Sequence, residues 1–186
     1  MNIGIILARK GSKRLPGKNT KIFAGVPLVE WTIMEAMLAE SLDRVIVSTD
    51  DMDVAKIAFA CGTMVHPRPQ ELCGDDVTSY EVLNFLIREL GLFQDVIVLL
   101  QPTSPLRIAL DIDRCVKLAH TMADRICISV EEGKTEGNGA IYVAHASWIM
   151  VGGNWDLPGP YKYEMPPARS HDIDTIEDFQ RAEGSA

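Results

Sequence analysis

"NIGIILARKGSKRLPGKN", residues 2–19, passes abruptly from an apolar, β-branched run into a segment, Ala8 to Asn19, that holds two glycines, a proline and five Lys or Arg side chains. The two halves cannot share one element. The first is almost wholly apolar, as a strand covered on both faces of a parallel sheet must be. The second is neither a buried strand nor a regular helix, so it is a loop leaving the carboxyl end of that strand. In an open α/β sheet ligands bind at this edge, and glycines with basic side chains there make an anion cradle.

Reading outward, further apolar runs recur at "RVIVST", "TMVHP", "DVIVLLQ", "RICISV" and "GAIYVA". Helical spacing fills the intervals: Pro27 to Ala39, Met52 to Ala60, Ser79 to Leu90 and Ala109 to Met122. Thr175 and Asp178 have capping-box spacing and open a short final helix. The alternation predicts an α/β fold of three layers around a central, mostly parallel sheet. Residues 1–186 read as a single domain, with only Gly133 to Gly139 and Val151 to Ala168 irregular. The latter segment, rich in Gly, Pro and aromatic residues, reads as a long loop beside the site.

The formal net charge is −8, yet residues 1–29 contain no Asp or Glu and hold six of the eighteen Lys and Arg residues. Positive charge so localised fits a small polyanion and not a nucleic-acid surface. Without a signal-peptide pattern or a run of membrane-spanning length, the expected location is cytoplasmic, with no membrane partner. Cys61, Cys73, Cys115 and Cys127 form no CxxC pair, so they read as packing thiols and not as a disulfide framework or metal cluster.

Spacing excludes the two best-known phosphate loops. Gly11 and Gly17 enclose five residues where a Walker A loop has four, Asn19 follows Lys18 where Ser or Thr is required, and no GxGxxG is present. A P-loop-like NTPase is disfavoured on this ground.

The basic loop, "VIVSTDD" (45–51), "RPQEL" (68–72) with Ser79, "LLQPTSPLR" (99–107), "NGAIYV" (138–143) and "DIDTIEDFQRAE" (172–183) together resemble, in order, the blocks of the acylneuraminate cytidylyltransferase family. The related KDO cytidylyltransferases have a similar loop, but "LLQPTSPLR" is more like the sialic-acid branch. The resemblance implies a nucleotide-diphospho-sugar-transferase-like, Rossmann-like fold. It further implies transfer of CMP from CTP to the anomeric hydroxyl of a nonulosonic acid, releasing pyrophosphate. The alternatives are another acceptor such as KDO, or a catalytically silent nucleotide-binding remnant.

By the same resemblance Arg9, Ser12, Lys13, Lys18 and Asn19 hold the triphosphate and ribose, with Arg9, Lys13 and Lys18 neutralising charge in the reaction. Arg68 and Ser79 lie around the nucleotide, and Gln101, Arg107, Asn138 and Tyr142 near the sugar acid. Arg107 could equally brace the "PTSPLR" turn. Lys10, Arg14 and Lys21 are expected to face solvent. Asp172 and Asp174, two apart, would share a side in extended backbone and hold Mg²⁺, Asp174 being counted with the catalytic groups. Their competing reading is as helix N-terminal acids.

The sequence departs from the family in one place. Only "EEGKTEG" lies between Val130 and Asn138, where the family carries a dimerisation arm of a few dozen residues. A monomer or an atypical dimer is therefore expected, with Lys134 and Arg169 as candidate substitutes for the lost sugar-carboxylate contacts.

Overall fold

The computed structural model describes residues 1–122, 126–155 and 159–185. Arg125, which starts the predicted "RICISV" strand, and residues 156–158 of the predicted Val151 to Ala168 loop lie outside the described residues.

Seven strands make the main sheet: β1 (Asn2–Leu7), β4 (Arg44–Thr49), β5 (Met64–Pro67), β6 (Val96–Leu100), β7 (Cys127–Glu131), β8 (Gly137–His145) and β9 (Tyr161–Met165). β2 (Ile22–Phe23) and β3 (Val26–Pro27) form a separate hairpin. The order in the main sheet is β5-β4-β1-β6-β8-β7-β9, parallel throughout except that β8 runs antiparallel to both β6 and β7. Helices α1 (Leu28–Leu38), α2 (Met52–Ala60), α3 (Ser79–Leu90), α4 (Ala109–Thr121), α5 (Ala146–Met150) and α6 (Ile176–Glu183) complete the chain. No described helix is long and apolar enough to cross a membrane.

β1 shows why the sheet needs a layer on each side. Its alternate residues Ile3 and Ile5 pack with Val82, Leu83 and Leu86 of α3, while Ile6 faces the cluster built with Ile33 of α1, Val54 of α2 and Val116 of α4. The expected three-layer α/β architecture is what forms. Cys115 and Cys127 are buried in the second of these clusters, their Sγ atoms 3.5 Å apart, and all four cysteines are thiols.

The short α5, β9 and the β2–β3 hairpin were not read from the sequence. β9 lies within the segment read as irregular; its "YKYEM" is exposed over most of its length and lacks the apolar run by which the inner strands are recognised. The β2–β3 hairpin is too short to have a period. It turns at Ala24 (φ 42°) and Gly25 (φ 97°), both left-handed, as a tight primed turn requires. Ala24 is the sole described non-glycine residue with positive φ. Ala24→Asn is expected to raise stability by about 0.5–1 kcal/mol, measurable as a higher urea midpoint at unchanged slope.

The order of strands locates the site. From β1 the chain builds outward through β4 and β5, then returns to place β6 on the other flank of β1. The reversal opens a crevice beyond the carboxyl ends of β1 and β6, the topological switch point at which doubly wound sheets bind ligands.

Candidate active site

The basic loop leaves β1 at this crevice and is anchored at several points. The Lys10 amide donates to Asp50 Oδ1 at 2.8 Å, and Asn19 Nδ2 donates back to the Arg9 carbonyl at 3.0 Å, closing the loop on itself. Leu15 is its apolar anchor, buried with Phe23, Leu28, Ile173 and Phe179. Gly17 takes the left-handed conformation (φ 67°) that reverses the chain into a 3₁₀ turn over Lys18–Thr20. A side chain at this position would be strained.

The loop roofs a cavity of about 390 Å³ whose lining includes Arg9, Ser12, Lys13, Lys18, Asn19, Ser79, Gln101 and Asp174, eight of the thirteen residues singled out from sequence. Arg14, Asp75 and Thr103 also line it. The two carboxylates divide the four cations between them. Arg9 and Lys13 meet Asp75 at 2.7 and 2.5 Å, and Arg14 and Lys18 meet Asp174 at 2.5 and 3.3 Å. Lys18, only 12% exposed in its side chain, also donates to the Ile173 carbonyl at 2.8 Å.

Asp75 was missed from sequence, although a cluster of cations without an acid nearby is itself a signal that one must be found. Lys13 and Arg9 hold its carboxyl below the usual range, so it remains ionised and their pairing persists well into acid. Where a polyanion enters the cavity, Asp75 competes with it for the same two side chains. Asp75→Asn is expected to tighten inorganic triphosphate binding several-fold at low ionic strength, an advantage that fades as salt is raised; titration calorimetry at two salt concentrations checks it.

Arg14, expected to face solvent, is indeed 69% exposed in its side chain, but its guanidinium also reaches Asp174 and lines the cavity. Lys21 does lie away from the cavity, 5.8 Å from the Phe179 ring centroid.

The two aspartates before α6 are freed from capping. Thr175 and Asp178 make the capping box, so neither Asp172 nor Asp174 is needed at the helix N-terminus. Between them Ile173 is fully buried while Asp174 opens to the cavity. Asp172 lines a neighbouring depression with Asp178 and Arg181. Its carboxyl packs against Gly139, where φ is 81° and an added Cβ would stand 3.4 Å from Asp172 Cγ. Desolvation there is the main cause that raises the Asp172 pKa; the Thr103 hydroxyl opposes the rise and repulsion from Asp174 adds to it. Among the described residues no three His, Cys, Asp or Glu side chains converge on a common point.

Besides Asp172, four sequence candidates stand outside the cavity lining. Arg107, 1% exposed, donates to the carbonyls of Gln101 (3.1 Å) and Ala140 (2.8 Å) and to Thr32 Oγ1 (2.6 Å), so of the two sequence readings the geometry is that of the brace. Burial pushes its pKa down to about 10, still well above neutral pH. Asn138 is bound to Ser129 and Ser170, tying β8 to its neighbours. Tyr142 packs under α3 with its ring against Trp155. Arg68 is buried beside Arg9, donating to the Ser48 carbonyl at 2.9 Å. These placements were invisible in sequence because an Arg or Asn next to a motif reads the same whether it points inward or outward.

Ser79 is the first residue of α3 but not its cap, a role taken by Thr78 with Glu81. Of the two candidate substitutes for the arm, Arg169 is forked onto the fully buried Asp111 at 2.8 Å through two nitrogens, and Lys134 pairs with Glu131 at the surface. The link from β7 to β8 is only the short turn 132–136.

Residues 3–136 match the family model described as cytidylyltransferase. Over 132 residues the chain is 38% identical to a CMP-N,N'-diacetyllegionaminic acid synthase of Legionella pneumophila, covering 69% of this chain and 56% of that protein. It is 30% identical to an N-acylneuraminate cytidylyltransferase of Streptococcus agalactiae, with 95% and 51% covered. The chain thus spans about half the length of these curated relatives. That second alignment extends over 212 positions against 186 residues here, so the relative carries segments with no counterpart in this chain. The fold is also that of a CMP-2-keto-3-deoxy-manno-octonic acid synthetase solved with CTP, at a TM-score of 0.75 and 15% identity over 98% of this chain and 97% of that one. Since the family match takes in the basic loop, the β1 and β6 edges and Asp75 together, over well more than half of the chain, the chain belongs to the cytidylyltransferase family.

Proposed function

We propose that the protein transfers CMP from CTP to the anomeric hydroxyl of a nonulosonic acid, with release of pyrophosphate. The observation that carries this reading is the cavity at the switch point, where four cations from one loop converge with the polar Ser12, Asn19, Ser79 and Gln101. A triphosphate brings negative charge comparable to that of the four cations and would compete with Asp75 and Asp174 for them.

Phosphoryl transfer asks for alignment and charge neutralisation more than for covalent help. Arg9 and Lys13 hold the outer phosphates, and Lys18, least exposed of the four, neutralises charge on the departing pyrophosphate. Ser79 and Asn19 orient the nucleoside end, and Gln101 with Thr103 the acceptor side of the cavity.

Asp174, which opens to the cavity, is a hard oxygen donor suited to a divalent ion of the magnesium type completed by phosphate oxygens, and Asp172, in the neighbouring depression and close enough to repel it, would add a second carboxylate only by turning toward the cavity. Bound there, such an ion would polarise the α-phosphate and lower the cost of ionising the sugar hydroxyl.

The test is pyrophosphate release from each of the four nucleoside triphosphates with a panel of nonulosonic acids and KDO, in Mg²⁺ and in Mn²⁺, repeated with Asp174→Ala. CTP-selective, metal-dependent release with a nonulosonic acid, lost in the variant, is the expected result. CTP binding without release under any acceptor would leave only a nucleotide-binding protein. With the β7–β8 turn in place of an arm, sedimentation at low micromolar concentration is expected to show a monomer.

A further inference from the structure

We propose that His66 and Glu89 are positioning residues for Arg68, acting through Ser48. The inference rests on the reading of the crevice as a nucleotide site, with Arg68 buried behind its lining beside Arg9.

The β4–β5 register sets Ser48 directly opposite His66, so their side chains share one face of the sheet. Both are buried, at 0% and 4% exposure. His66 Nδ1 lies 3.1 Å from Ser48 Oγ, and His66 Nε2 lies 2.8 Å from Glu89 Oε2. Arg68 meets Ser48 twice, Nε to Oγ at 3.4 Å and Nη2 to the carbonyl oxygen at 2.9 Å.

The donors run one way along this chain. A guanidinium has only donors, so Ser48 Oγ accepts from Arg68 Nε–H. The Ser48 hydroxyl then donates to His66 Nδ1, which places the ring proton on Nε2, and Nε2–H donates to the Glu89 carboxylate. The Phe85 ring closes over the imidazole at 6.1 Å between centroids, leaving it little freedom to turn away.

Arg68 needs such support. It is 8% exposed, pairs with no carboxylate among the described residues, and is repelled by Arg9. A buried guanidinium without a counterion is costly, and it keeps one orientation only if its neighbours impose it. Glu89 is in the last turn of α3, and Ser79 at the other end of that helix lines the cavity, so the chain also ties helix and loop to one strand edge.

The experiment is a double-mutant cycle read by calorimetric titration of the whole protein with CTP. His66→Phe keeps the ring and removes the relay; it is expected to weaken CTP about tenfold, and to have no further effect in an Arg68→Gln background. A fold-stabilising role alone would lower the thermal midpoint in both backgrounds and leave CTP affinity unchanged. Glu89→Gln, which keeps an acceptor for Nε2–H, is expected to lose less than His66→Phe, and it serves as the test if His66→Phe does not fold. Unchanged CTP affinity in His66→Phe, or a loss that adds fully to that of Arg68→Gln, overturns the proposal.

Failure of the functional reading is seen separately, as no CTP binding by the unsubstituted protein. In that event the ¹⁵N resonance of Arg68 Nε decides the relay. Slow exchange with water that is lost in His66→Phe supports it, and the same exchange rate in both proteins overturns it.

Discussion

Lys18→Met lowers kcat for CTP-dependent pyrophosphate release by about 10²–10³-fold, the scale expected when a preorganised charge facing a transition state is removed. Lys18 is unlike the other three cations because it is almost enclosed and is held from two sides, by the Ile173 carbonyl and Asp174. Its ammonium is therefore fixed before substrate arrives and needs little reorganisation when charge moves to the leaving group. Arg9, Lys13 and Arg14 are more exposed and paired only at their tips, so their contribution falls mainly on binding. Methionine preserves the stem that packs under the loop while removing the charge. The measurement is steady-state release together with a CTP titration, and kcat should fall by more than the dissociation constant rises. A loss of less than tenfold in kcat would place the leaving-group charge elsewhere.

The second large effect is on stability. Arg107→Met is expected to cost about 3 kcal/mol, a fall in Tm of roughly 6–12 °C for a chain of this size. Its guanidinium is the common donor to Thr32 on α1, Gln101 at the end of β6 and Ala140 on β8, and the acceptors on Thr32 and Ala140 lose it in a buried region. No carboxylate offsets the charge directly, so removing it also relieves desolvation, which is why the expected cost stops short of that for breaking a buried ion pair. Below the transition, the KM for the sugar acid should be unchanged. An unchanged Tm with a strongly raised acceptor KM would instead make Arg107 a carboxylate contact.

These two residues mark how far sequence reading reached. Lys18 was legible because its motif is local: a glycine-punctuated loop after an apolar strand must present its side chains at the sheet edge, whatever the rest of the chain does. Arg107 was left open between two roles, since a motif position does not say which way a side chain points. The same limit explains Asn138 and Tyr142, read as sugar contacts and found among Ser129, Ser170 and Trp155. It also explains Asp75 and Arg14, whose parts in the cavity arise from pairings across 66 and 160 positions of chain.

By itself, the sequence determined the α/β alternation, the edge of the sheet that carries the basic loop, the helix caps at Thr175, and the small-polyanion character of the site. All of these follow from periodicity, turn chemistry and charge within a few residues. Only the tertiary structure decided which cations share a cavity, which acid holds them, and which polar groups are braces. Those outcomes depend on how β1 and β6 come to flank one crevice, and on which buried donors find acceptors there, and such pairings between distant segments leave no periodic trace in the chain.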